Sequence, residues 1–306
     1  MSDINIIAEG LAFPEGPVFM DDGSIIVCEI AAGRITRVRR DGTTHVIATP
    51  GGGPNGAAIG PDGALWVCNN GGFNWATIDG MLIPGAQADD YETGRIERID
   101  LSTGRVERVY QTVNGHNLSG PNDLMFDAAG GFWFSDHAKI RARESDHGGL
   151  FYGRSDGSLV KQAVYPLDHP NGVGLSPDGW TVHVALTMQR LILSFEITGE
   201  GEVAPSPLAA VPGRVAASFP GRVLLDSLAM FADGDIAQAT LVERPGIATV
   251  NPATGDVSYR DFPDLLTTNI AFGGADMREA AVCLSTTGRL AMTRFDKPGL
   301  RLAFNG

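Results

Sequence analysis

Cysteine is scarce in this chain of 306 residues: there are three, an odd number. Cys28, Cys68 and Cys283 fall at or near the ends of short apolar segments, with spacing suited neither to a disulfide framework nor to zinc. They read as small buried side chains in equivalent positions. No apolar run approaches the roughly 20 residues needed to cross a bilayer. The start, Met-Ser-Asp-Ile-Asn-Ile-Ile-Ala-Glu-Gly, lacks the basic and apolar regions of a secretion signal. A cytoplasmic location is the resulting expectation. Positive charge is also short. The 23 Lys and Arg against 36 Asp and Glu leave a net charge of −13, which argues against nucleic acid or an anionic membrane as partner. A small-molecule partner is expected, and the oligomeric state stays open. Helical periodicity is scarce throughout.

Short strands and Gly-rich turns fill the chain instead. One pattern recurs: a polar residue, a short apolar strand, an Asp-Gly-like turn, and a second apolar strand ending on a small residue. Glu15 leads to Gly23 and Cys28, and Asn55 leads to Gly63 and Cys68 at the same offsets. Asn122, Asn171 and Asp226 open three more copies, and Asn269 opens a sixth that has lost the glycine. A second alternating hairpin follows in most copies, as around Asp41-Gly42 and Thr103-Gly104. Four strands in each of six units predict an all-β, six-bladed β-propeller, read as one domain over residues 1–306. The sixth outer hairpin is short near Leu290 to Phe304, and the early strand Ile4 to Ala8 would close the ring. Insertions at Gly71 to Gly94 and His137 to Gly149 interrupt the second and third units. Whether they leave from the face of the central residues is open.

Inner strands of a propeller line the axis, so equivalent positions converge there. Glu15, Asn122, Asn171 and Asp226 then form an all-oxygen set with two carboxylates. That is ligand chemistry for one hard divalent ion, with Ca²⁺ expected first and Mg²⁺, Mn²⁺ or Zn²⁺ as alternatives. The competing reading is a pair of buried carboxylates satisfied by amides, disfavoured because two such charges on one axis repel.

Pro14-Glu15-Gly16-Pro17, Gly120-Pro121-Asn122-Asp123, Pro170-Asn171-Gly172 and Asp226-Ser227-Leu228 resemble the motifs of the senescence marker protein/gluconolactonase/luciferin-regenerating family. Diisopropylfluorophosphatase and the paraoxonases are similar in fold and metal set. The resemblance implies a metal bound by Glu15, Asn171 and Asp226. It matches Asn122 to an asparagine that binds metal or substrate. It also implies hydrolysis, most often opening of a lactone ring. The metal would polarise the carbonyl, and Asp226 would activate water as general base; its role as nucleophile stays open. Other esters or phosphotriesters, or a non-catalytic calcium-binding propeller, are the alternatives.

Further candidates carry two readings each. Asn55 contacts substrate or serves the backbone beside Gly51-Gly52-Gly53-Pro54. Asp123 bonds nearby backbone or enters the chemistry. His137 is a capped side chain or a proton carrier near the substrate. Asn269, with Thr268 beside it, would line the channel. His183 reads as a packed strand residue, and Asp22-Gly23, Asp62-Gly63 and Asp178-Gly179 as turns. The apolar stretch Phe73 to Pro84, if it covers the mouth, favours a substrate less polar than a simple sugar lactone.

Overall fold

Each repeat folds into an antiparallel four-stranded sheet. The computed structural model describes residues 4–206, 208 and 212–305. The inner strands Pro14–Phe19, Pro54–Ile59, Pro121–Phe126, Pro170–Leu175, Val223–Met230 and Thr267–Gly273 define blades 1 to 6. A two-residue strand, Glu202–Val203, is added at the edge of blade 4. The third strand of blade 6 is Arg289–Arg294, and Asn5–Ala8 supplies the fourth, with Asn5 opposite Met292 and Ala8 opposite Leu290. Joining the first strand to the last closes the ring and removes open sheet edges.

The inner strands are buried on both faces because each blade packs against two neighbours, while the outermost strands such as Thr44–Ala48 are largely exposed. Ile25–Glu29 and Leu65–Asn69 are wholly buried. Between blades 2 and 3, Trp66 lies 5.3 Å from Phe132, which in turn lies 5.3 Å from Phe126. Rings of this size each contribute roughly 2–3 kcal/mol by burial. Asp22, Asp62 and Asp178 accept backbone N–H bonds two residues on, as their turns require. The three cysteines are free and buried, and burial pushes their thiols well up.

Every inner strand breaks register near its leading polar residue. The pairing slips between Glu15 and Val18, Pro54 and Ala57, Pro121 and Leu124, Pro170 and Val173, Leu225 and Leu228, and Thr267 and Asn269. Such bulges re-aim side chains and free backbone groups from the ladder. The glycines that follow serve close approach between inner strands. A Cβ on Gly56 would stand 2.5 Å from the Asn122 carbonyl, and one on Gly172 2.5 Å from the Leu228 nitrogen. Asn55-Gly56 and Asn171-Gly172 are therefore not turns.

The far end of the axis is closed by the residues after Arg294, which leave blade 6 instead of extending it. Gly299 N–H donates to the Met277 carbonyl at 2.7 Å, and Leu300 N–H to that of Met230 at 2.8 Å. Phe304 reaches Phe126 with ring centres 5.8 Å apart. Leu300, Leu302 and Asn305 thus cap a narrow axial cavity of about 70 Å³, lined above by Val18, Met125 and Met230.

Candidate metal centre and active site

The six leading residues Glu15, Asn55, Asn122, Asn171, Asp226 and Asn269 all sit at or near the start of an inner strand, at one end of the ring. Glu15, Asn55, Asn122, Asn171 and Asn269 are buried, and Asp226 is half-buried. Neighbouring blades hold their backbones. Ser285 of blade 6 donates its hydroxyl to the Pro14 carbonyl at 2.6 Å, and Ser135 of blade 3 donates to that of Asn171 at 2.5 Å.

The Glu15 carboxylate accepts from Asn269 Nδ2 at 2.7 Å and from Gly16 N–H at 2.8 Å. Burial nevertheless pushes its pKa up, against these bonds and one from Thr268. Burial, then the charge of Glu15, pushes Asp226 well above the ordinary carboxylate range, with an Asn171 hydrogen bond opposing. Asp123 is raised to about 8 by burial and by Glu15, although it accepts from the Leu124 and Val173 amides. No Lys, Arg or His side chain is among the groups that set these three shifts. The Oδ1 atoms of Asn55 and Asn122 are buried without a hydrogen-bond partner. Asn171 donates from Nδ2 to Thr187 Oγ1 at 3.2 Å, leaving its carbonyl oxygen only a long 3.5 Å contact from Ser227 Oγ.

Carboxylates that repel, beside amide oxygens without donors, have the chemistry of a site for a hard divalent ion. Among the described residues no three His, Cys, Asp or Glu side chains gather as a metal cluster. The donor set here mixes carboxylates with amides.

The crown around the axis is built by the two insertions, and strand direction fixes their side. The first strand of a blade runs away from the site and the second returns, so an excursion after the second leaves from the site's own end. Phe73–Ile78 and Met81–Gln87 form a hairpin there. Its Trp75 lies 5.0 Å from Phe13, two residues before Glu15. Leu82 N–H reaches the Thr286 carbonyl of blade 6 at 2.8 Å, while Gln87 N–H reaches that of Ile140, after blade 3's second strand, at 3.0 Å. The hairpin is thus a beam tied to opposite sides of the ring. Buried Lys139 anchors its base, donating to the Gly72 carbonyl at 2.7 Å with Nζ 4.1 Å from the Phe73 ring centre. Burial pulls this lysine down to about 7.

His137 is half-buried on the same crown, and burial, then the charges of His169 and Lys139, hold it neutral with a pKa of about 3. His169 packs edge-on to it at 5.0 Å. His169, which lies outside the repeated pattern, has φ 49°, and its Nδ1 lies 2.5 Å from Asp168 Oδ1. Its Nε2 is buried without a partner. Its place two residues before Asn171 was the available signal. His183 is a packed strand residue whose Nδ1 meets Ser194 Oγ at 2.9 Å.

These features define a six-bladed propeller with acidic and amide oxygens gathered at one end of its axis. Residues 13–286 match the family described as SMP-30/Gluconolactonase/LRE-like region, and the chain belongs to that family. It is similar to a gluconolactonase of Zymomonas mobilis, 27% identical over 203 residues that make up 60% of this chain and 51% of the relative. It is also similar to lactonase drp35 of Staphylococcus haemolyticus, 26% identical over 235 residues, 76% of this chain and 64% of the relative. The matched segments thus span about half to two thirds of these relatives. Among solved structures, a gluconolactonase from Xanthomonas campestris superposes with a TM-score of 0.75 at 20% identity, covering 96% of this chain and 89% of the other. A regucalcin from Agrobacterium tumefaciens gives 0.74 at 16%, covering 98% of each chain. At those identities the likeness is one of fold.

Proposed function

We propose that the protein is a metal-dependent lactonase, and one observation carries the reading. Glu15 and Asp226 share the axis with each other and with donor-free amide oxygens, an arrangement in which both carboxylates stay charged together only when a divalent cation replaces their protons. Lactonase relatives and family membership support it. Glu15, Asn171 and Asp226, with Asn122, would hold the ion. Ca²⁺ is the first choice, in keeping with the regucalcin described as a calcium-binding protein. When bound, such an ion supplies Lewis acidity toward a carbonyl oxygen.

The chain's own groups do the rest. Asp226 accepts a proton from the attacking water as its oxygen bonds to the lactone carbonyl carbon. The ring carbon–oxygen bond then breaks, and the proton passes to the departing alkoxide to give the hydroxy acid. Asn122 orients the ring oxygen or a hydroxyl, while Asn55, Asn269 and His137 border the substrate. The hairpin beam brings Trp75, Leu82 and Pro84 to the crown, which favours a lactone with an apolar substituent.

Proton release from a panel of lactones tests the reading, using metal-stripped protein and then protein restored with Ca²⁺, Mg²⁺, Mn²⁺ or Zn²⁺. Turnover should return with metal and vanish in Glu15→Gln and Asp226→Asn. Metal uptake without turnover on any lactone would point instead to another ester class or to a calcium-binding propeller without catalysis.

A further inference from the structure

Gln238 lies in the second strand of blade 5 and is completely buried. In the register it faces Leu228, the first paired residue after the bulge that carries Asp226. On the rung two residues past the leading residue, blades 2, 3, 4 and 6 place Val67, Phe134, Val184 and Ala281. A buried amide in a position otherwise apolar needs a reason, because its polar atoms cost free energy unless bonded.

The reason lies in the bulge. Slippage between Leu225 and Leu228 takes the Asp226 and Ser227 carbonyls out of the ladder. Gln238 Nε2 supplies what the ladder withdrew, lying 2.8 Å from the Asp226 carbonyl, 3.3 Å from that of Ser227 and 2.8 Å from that of Ala239. Its own Oε1 is buried without a partner, so this amide is retained for its N–H groups. Ser227 in turn approaches Asn171 Oδ1 at 3.5 Å and bonds the Asp123 carboxyl. One side chain therefore fixes the backbone from which Asp226 projects and the residue touching two neighbouring axial groups.

We infer that Gln238 is a positioning residue for Asp226, clamping the blade 5 bulge so that the carboxylate is held where it meets the ion and the water. This deepens the metal-dependent reading above and rests on it. The amide is neutral and never touches substrate, so its effect must pass through the geometry of Asp226. Outer partners of ligand groups typically change metal affinity or activity by about 10–100-fold.

The test is a calorimetric Ca²⁺ titration of the whole protein, run beside lactone turnover, on wild type, Gln238→Met and Thr240→Val. Methionine keeps the length and volume without amide protons. Thr240→Val removes bonds to the Arg244 and Gly246 carbonyls of the same blade, none of them to Asp226 or Ser227. The expected result is a roughly tenfold or greater loss of Ca²⁺ affinity and of kcat in Gln238→Met, with KM nearly unchanged. Thr240→Val should lose thermal stability but keep both. Should Gln238→Met not fold, Gln238→Val, the residue blades 2 and 4 carry on this rung, takes its place with the same expectations. Wild-type affinity and kcat in the folded variant, or equal losses in Thr240→Val, would overturn the inference alone. A wild-type protein that takes up no divalent ion would overturn the metal reading and this inference with it.

Discussion

Asn269 Nδ2 lies 2.7 Å from Glu15 Oε2, joining the last blade to the first across 254 positions of sequence. The same asparagine accepts from Ile270 N–H through Oδ1 at 2.7 Å, so its amide is oriented and its donor must face the carboxylate. A hydrogen bond to a charged group of this kind is worth about 1.5–3 kcal/mol. Asn269→Ala should therefore raise the Glu15 pKa further and weaken divalent metal binding by about tenfold or more. Calorimetric titration of the variant checks this; unchanged affinity would remove Asn269 from the site.

The raised carboxyls fix the sign of the pH dependence. In the metal-free protein Glu15, Asp123 and Asp226 hold protons more tightly folded than unfolded. Their contribution to stability is full below pH 4 and is lost as pH rises through the folded values, for Asp123 up to about 8. Glu29, held low by Arg34 and Thr36 against its burial, works the other way and loses its contribution as acid protonates it. His137 and His183, lowered by burial to about 3 and about 4, also work the other way up to the ordinary histidine value of 6.5. Metal-stripped protein should thus lose thermal stability between about pH 6.5 and about 8, and Ca²⁺ should restore it with release of protons. Melting curves with and without chelator read the first, and calorimetry in buffers of different ionisation enthalpy reads the second.

Removing the residues after Pro298 should uncover the lower end of the axial cavity. The segment carries Leu300 and Leu302 beneath the axis and Phe304 against Phe126. Apolar side chains that are half-buried, as Leu302 and Phe304 are, contribute about 1–2 kcal/mol each when their contacts are lost. The truncated protein should melt at lower temperature and bind an apolar dye. Melting like that of the full chain would show that the ring does not depend on this cap.

The hairpin beam should govern substrate choice more than chemistry. Trp75→Ala should raise KM for a lactone with an apolar substituent while leaving kcat and the KM for a small polar lactone nearly unchanged. Equal effects on both substrates would sink that role. Lys139→Met should loosen the base of the beam, since its bonds to Gly72 and Asn70 bind the two insertions together. Faster amide hydrogen exchange over residues 73–87, with the blades unaffected, is the expected signature.

The repeated polar-strand-turn-strand pattern was enough to read the ring, because every blade must bury its strands against two neighbours and so restates one periodicity. It also placed the six leading residues in equivalent positions, and Ile4 to Ala8 as the closing strand, observed as Asn5–Ala8. Three things belonged to the tertiary structure alone. The side from which the insertions leave depends on strand direction, and the ties from Leu82 to Thr286 and Gln87 to Ile140 join segments with no shared pattern. Gln238 and His169 carry no motif; each matters through groups brought to it by a bulge or a neighbouring blade. The glycines after Asn55 and Asn171 are small because adjacent inner strands crowd the axis. Periodicity is written in the chain because burial repeats with every blade. The contacts that orient charge at the axis occur once each, between distant residues, and only the closed ring brings them together.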